Sequence, residues 1–179
     1  DDFFFFFRPL GAGLLALGIS FPSRPGRHHI LWHFLRCRWQ LRGISDQQLL
    51  AQSQSEDARL AAAARILISA FMAKQWQGQT DFVMLSALHG VQWTIQAGYT
   101  PLTVIGFALY TVALTRSGGS PAALRRFTQL TLALLTRLPE HRARASVILL
   151  LNSLLLHRQN PLRDTVPPLR STIEMSLVD

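Results

Sequence analysis

Six histidines, His28, His29, His33, His89, His141 and His157, are the side chains best suited to chemistry in this chain. His29 and His33 stand four residues apart, which on a helix sets two imidazoles on one face, the spacing used by helical zinc pairs. A zinc site needs at least one further ligand. No Asp or Glu occurs between Asp2 and Asp46 to supply it nearby, and the lone cysteine, Cys37, excludes an internal disulfide and any cysteine-based cluster. The expectation is therefore histidines at a helix interface, with no metal and no cofactor.

Catalytic patterns are missing from the sequence. It has no G-x-x-x-x-G-K-[ST] phosphate loop, no G-x-S-x-G elbow and no H-x-E or C-x-x-C element. Glu56 and Asp57 are adjacent and point apart on a helix, while Asp164 and Glu174 are ten positions apart and make no tight pair. No residue is assigned a catalytic role, and the chain is read as not an enzyme.

A second cluster joins Arg24, Arg27, Arg36, Arg38 and Arg42 with Trp32 and Trp39. Arginine interleaved with tryptophan can stack single-stranded bases, but it equally makes a packed helix with a charged edge. Of the 18 basic residues only Lys74 is lysine, and the net charge of +8 comes without a polybasic run. That usage is weak ground for nucleic acid. Arg24, Arg27, Trp32, Arg36, Trp39 and Arg42 are taken as a candidate surface for a protein partner or for another domain of the same polypeptide.

Helices must position these groups. Start signals at Thr80-Asp81, Thr100-Pro101, Ser120-Pro121, Pro139-Glu140 and Asn160-Pro161 recur about every 20 residues. Each places a capping side chain or a proline where the first amides lack partners. Gly78, Gly98 and Gly118-Gly119 precede the first three, as helix ends in the left-handed conformation require. Between the marks, helical periodicity runs through Ala143, Val147, Leu150, Leu151 and Leu154, and through Leu124, Phe127, Leu130, Leu134 and Leu138. Upstream, Ile30, Phe34, Cys37 and Leu41 form a stripe ending at Gly43, and residues 58–75 read as an alanine-rich helix with Ile66, Ala70 and Ala73 in register.

No segment reads as a strand, so the fold class is all-α. Two helices per 40 residues or so is the arithmetic of an α-solenoid of stacked antiparallel hairpins, close to but longer than a tetratricopeptide unit. The chain divides into an N-terminal helical segment at 1–43, a polar linker or short helix at 44–57, and hairpin repeats at 58–179. With a single cysteine, and with acidic rather than basic residues before Phe3–Phe7, the expected location is the cytoplasm.

The alternative is a membrane protein. Phe82 to Thr115 carries no Asp, Glu, Lys or Arg and would give spans at 82–97 and 101–116. Against it, His89, Gln92 and Gln96 would set three polar groups in lipid; a solenoid helix would carry them at its rim.

The chain resembles the helical-repeat region that follows the ATPase domain in large bacterial signalling proteins of the AAA/STAND type. These commonly carry a Ser/Thr-kinase-like domain before it, and GAF plus histidine kinase or diguanylate cyclase domains after it. The resemblance runs from about Leu14 to Asp179. It rests on Leu14 to Pro22 followed by Arg24-Pro25-Gly26-Arg27, on Leu41 to Asp46, on Leu88-His89-Gly90, on Ala97-Gly98-Tyr99-Thr100-Pro101 to Phe107-Ala108-Leu109-Tyr110, on Asn160-Pro161-Leu162-Arg163, and on Leu169 through Ser176-Leu177-Val178-Asp179. Tyr99 stands where the family commonly has Asn, and Thr111 where it often has Gly. The resemblance implies a scaffold that couples a nucleotide-switched module to a signalling output, with the catalytic motifs of the family outside this segment.

Overall fold

The computed structural model describes residues 8–22 and 24–137, with single positions at 148, 167 and 170. The readings made on Phe3–Phe7, Leu138, Pro139-Glu140, the stripe from Ala143 to Leu154, His141, His157, Asn160-Pro161, Asp164, Glu174 and the closing motif from Leu169 lie outside the described residues. Seven helices are present among those described: α1 (Arg8–Ala16), α2 (Arg27–Arg42), α3 (Asp46–Ala51), α4 (Ala58–Trp76), α5 (Thr80–Ala97), α6 (Thr103–Arg116) and α7 (Pro121–Leu135). The chain is all-α. The one β-type pairing among the described residues is an isolated parallel bridge between Gln54 and Tyr99.

Two compact units divide the chain, residues 1–106 and 107–179, with the boundary inside α6. In the first, α5 is the centre: α2 and α4 both pack on it, and α1 packs on α4. Every residue of α5 from Phe82 to Thr94 is buried. A helix apolar on all sides must be covered on all sides, and here protein provides the cover. Much of the charge-free stretch that suggested membrane spans is thus buried against protein, and no helix among the described residues is long and apolar enough to cross a membrane. The hydroxyls of Ser86 and Thr94 are satisfied by donating to Phe82 O and Gly90 O, each at 2.8 Å, the usual recourse of a buried helical hydroxyl.

Local signals place the helix ends well. Gly78, at φ 69°, ends α4 and Gly98, at φ 96°, ends α5. Asp57 caps α4 by accepting from the amides of Arg59 and Leu60. The polar stretch holds α3, capped reciprocally by Ser45 and Gln48, and then a linker. The start expected at Thr100-Pro101 falls later, at Thr103, whose hydroxyl accepts the Thr100 amide at 2.8 Å and meets the Thr94 hydroxyl at 2.7 Å. On α4 the core residues are Ala63, Ala64, Leu67, Ala70 and Phe71. Ile66 and Ala73, expected on the same stripe as Ala70, are only half-buried.

The start of α6 lies unusually close to α5. A methyl group on Gly106 would stand 2.8 Å from Ala87 O and 3.1 Å from Val91 N, and one on Gly90 would meet Leu102 at 2.9 Å. Backbone atoms cannot yield as a side-chain tip can. Gly106→Ala is expected to lower stability by about 1–3 kcal/mol, the range for overpacking a tight core, read as a fall in the denaturant midpoint. An unchanged midpoint would mean that the helices separate freely.

In the second unit, Gly118 at φ 72° and the Ser120 cap, which accepts from the Ala123 amide at 3.3 Å, set the turn into α7. Pro121 takes the first helical position. Phe127, Leu130 and Leu134 are buried, and Leu124 is half-buried. Phe127 meets Tyr110 edge-on, with ring centroids 5.1 Å apart.

Candidate functional site

α2 has two working faces. Phe34, Cys37 and Leu41 are buried on the side toward α5, as their three- and four-residue spacing requires. The opposite side leaves large apolar groups in solvent: Leu31 is 58% exposed, Trp32 54%, Leu35 51% and Trp39 75%. His28, Trp32, Leu35, Trp39 and Arg42 follow one another at intervals of four, three, four and three residues. That spacing draws a straight seam along a helix. Arg36 and Arg38 stand beside it, both exposed.

All six residues singled out from the sequence are exposed, but they do not form one patch. Trp32, Trp39 and Arg42 lie on the seam and Arg36 flanks it, its guanidinium carbon 5.2 Å from the centre of the Trp32 ring. Arg24 precedes the helix, and Arg27 sits in its first turn, seven residues before buried Phe34, off the seam. Leu31 and Leu35 belong to the exposed face and were not singled out. The signal for Leu35 was the 4-3-4-3 interval itself, and for Leu31 its place four residues before Leu35, both obscured because a second apolar stripe on the same helix faces the core.

The electrostatics of this face are one-sided. Among the described residues the salt bridge found is Arg59 with Asp57, away from α2. Arg36, Arg38 and Arg42 have no carboxylate partner among the described residues, and the sequence from Phe3 to Ser45 contains none.

Beneath the seam lies a buried polar cluster between α2 and α5. Nδ1 of His33 is 3.1 Å from Oε1 of Gln92, and Gln92 Nε2 donates to the His33 carbonyl at 3.4 Å. With the amide in that orientation, His33 carries its proton on Nδ1. The His33 and His89 ring centroids are 4.5 Å apart. Phe21 and Trp93 also enclose His89, with centroids at 5.4 and 5.5 Å, and its Nε2 has no hydrogen-bond partner among the described residues. Burial first, then the neighbouring His33 and Arg36, pushes the His89 pKa down to about 3, so the ring is neutral near pH 7. Burial also lowers that of His33, against the Gln92 bond.

The rim position expected for the polar groups of α5 is corrected here. Gln96 is exposed, but His89 and Gln92 are core residues, admitted because α2 brings His33 to Gln92. His29 and His33, a potential metal pair by spacing, have separate tasks. The His29 Nδ1 accepts the Gly26 amide at 3.2 Å, in the first turn of α2, and His33 turns to α5. Among the described residues no group of three His, Cys, Asp or Glu is placed to hold a metal ion. Cys37 donates to Leu88 O at 3.6 Å, and burial pushes its thiol up to about 12, so it presents no thiolate for nucleophilic chemistry.

No family model, curated protein or solved structure matches the chain.

Proposed function

We propose that this chain is a non-catalytic helical scaffold, a hairpin array of the tetratricopeptide-like kind, that makes protein–protein or interdomain contacts in a bacterial signalling ATPase or kinase. The observation that supports this reading most is the double-faced α2. Its inner side is fixed on the centre of the first unit, and its outer side holds Trp32, Leu35 and Trp39 in solvent. Leaving three large apolar groups in water forgoes roughly 1.5–3 kcal/mol each relative to full burial, and such a row on a rigid support is the usual form of a contact surface. The resemblance to helical regions beside ATPase domains supplies the context, a cytoplasmic signalling polypeptide in which a nucleotide state exposes or covers this face.

The test is amide hydrogen exchange on the natural polypeptide that carries this chain, with and without a non-hydrolysable ATP analogue. The expected result is a change in protection of the amides of α2, since a contact made or released there alters local opening. Identical exchange of α2 in both states would overturn the coupling.

A further inference from the structure

From the seam on α2 we infer that the partner is an amphipathic helix carrying Asp or Glu beside its own apolar stripe, contributed by a second polypeptide and laid along His28 to Arg42. This rests on the scaffold reading above and names its ligand. Three observations carry it. The intervals of His28, Trp32, Leu35, Trp39 and Arg42 give a seam of helical pitch about 21 Å long, which a second helix matches along its whole length and a strand or loop does not. Its apolar members, with Leu31 beside them, are among the most exposed large apolar side chains of the described residues. The arginines on and beside it lack carboxylates among the described residues, and a guanidinium fork pairs bidentately with a carboxylate at a protein interface.

Other occupants fit less well. A second copy of this chain would bring Arg36, Arg38 and Arg42 against the same residues in a molecule of net charge +8, a like-charge meeting that disfavours association. A lipid surface would have to take up Trp32 with the Arg36 guanidinium held over its ring at 5.2 Å, carrying a charge toward hydrocarbon. A nucleic acid would find that Trp32 face already occupied.

The experiment titrates the intact chain with a synthetic helix of about 18 residues bearing leucines at 4-3-4-3 intervals flanked by glutamates. The same helix with lysines for glutamates serves as control, and the emission of the tryptophans and amide exchange at 27–42 are the readouts. The acidic helix is expected to bind and protect α2, to weaken about tenfold between low and high salt, and to outbind the lysine helix by at least tenfold. The double variant Arg38→Glu, Arg42→Glu, checked for unchanged helicity, should invert that preference. Both residues are exposed, so the fold does not depend on them. Equal binding of the two helices, no binding of either, or a response only to vesicles of phosphatidylserine and phosphatidylcholine or to oligo-dT would overturn the proposal. If α2 still responds to nucleotide in the natural polypeptide in those cases, the scaffold reading stands and only the chemistry of the partner fails.

Discussion

Taking the protein from pH 7 to pH 5 is expected to destabilise the first unit by about 2 kcal/mol through His89 alone, at about 1.4 kcal/mol per pH unit below 6.5. The direction follows from burial. The His89 pKa is pushed down to about 3 in the folded chain, against about 6.5 for a histidine in the unfolded chain. Between those values the unfolded chain binds a proton that the folded one refuses. Stability is therefore full above pH 6.5 and falls as the pH drops toward 3. His33, also lowered by burial, adds to the loss in the same sense.

The groups around His89 offer a proton no help: Phe21 and Trp93 are apolar, and His33 and the charge of Arg36 oppose it. Denaturant midpoints at pH 7, 6 and 5 should therefore drop steeply in the natural protein. They should drop much less in His89→Leu, which fills the site with an apolar group of similar size and removes an unpartnered nitrogen. Parallel slopes for the two proteins would show that His89 is not the group responsible. Because α2 rests on α5 through His33 and Gln92, acid is also expected to loosen the mount of the exposed seam.

Gly98→Ala is the second substitution with a large expected effect, a loss of about 3 kcal/mol or more. Gly98 has φ 96° and ψ −169°, a region essentially confined to glycine, where another residue costs about 1–3 kcal/mol in backbone strain alone. A methyl group there would also stand 2.5 Å from Ser53 O. That oxygen accepts the Tyr99 amide at 2.9 Å, the Ser55 amide donates to Tyr99 O at 2.8 Å, and the Tyr99 hydroxyl donates to Leu49 O at 2.7 Å. These bonds tie α3 and the linker after it to the end of α5, so relieving the clash means giving up the clasp. Gly78→Ala is the control: its φ is 69° and nothing lies within 4 Å of an added methyl group, so only the left-handed penalty of about 1 kcal/mol applies. Equal losses for the two in thermal unfolding would show that the contact with Ser53 contributes nothing.

Local chemistry in the sequence determined the all-α class and most helix limits. Gly78, Gly98 and Gly118 are stops because a left-handed residue ends a helix wherever it occurs. Asp57, Ser45 and Ser120 accept amides of their own next turn, so their role needs no distant partner. The inner stripe of α2 was equally legible from its spacing at Phe34, Cys37 and Leu41, while Ile30, expected on it, is only half-buried.

The tertiary structure alone decided what lies opposite each helix. The stretch from Phe82 to Thr115 has no charged residue, but neither helix it forms is long and apolar enough to cross a membrane, and its burial depends on α2 and α4 packing on α5. His89 and Gln92 were legible as polar groups on one helix, but a buried polar group is tolerable only if something pairs with it. For Gln92 that partner, His33, comes from 59 positions away on α2, while His89 is held by the rings of Phe21, His33 and Trp93 with its Nε2 unpaired among the described residues. The seam of Trp32, Leu35 and Trp39 carries the same apolar residue types as the stripe behind it. Composition cannot tell the two apart, because which face of a helix meets the core is settled by its neighbours in space and not by its own residues.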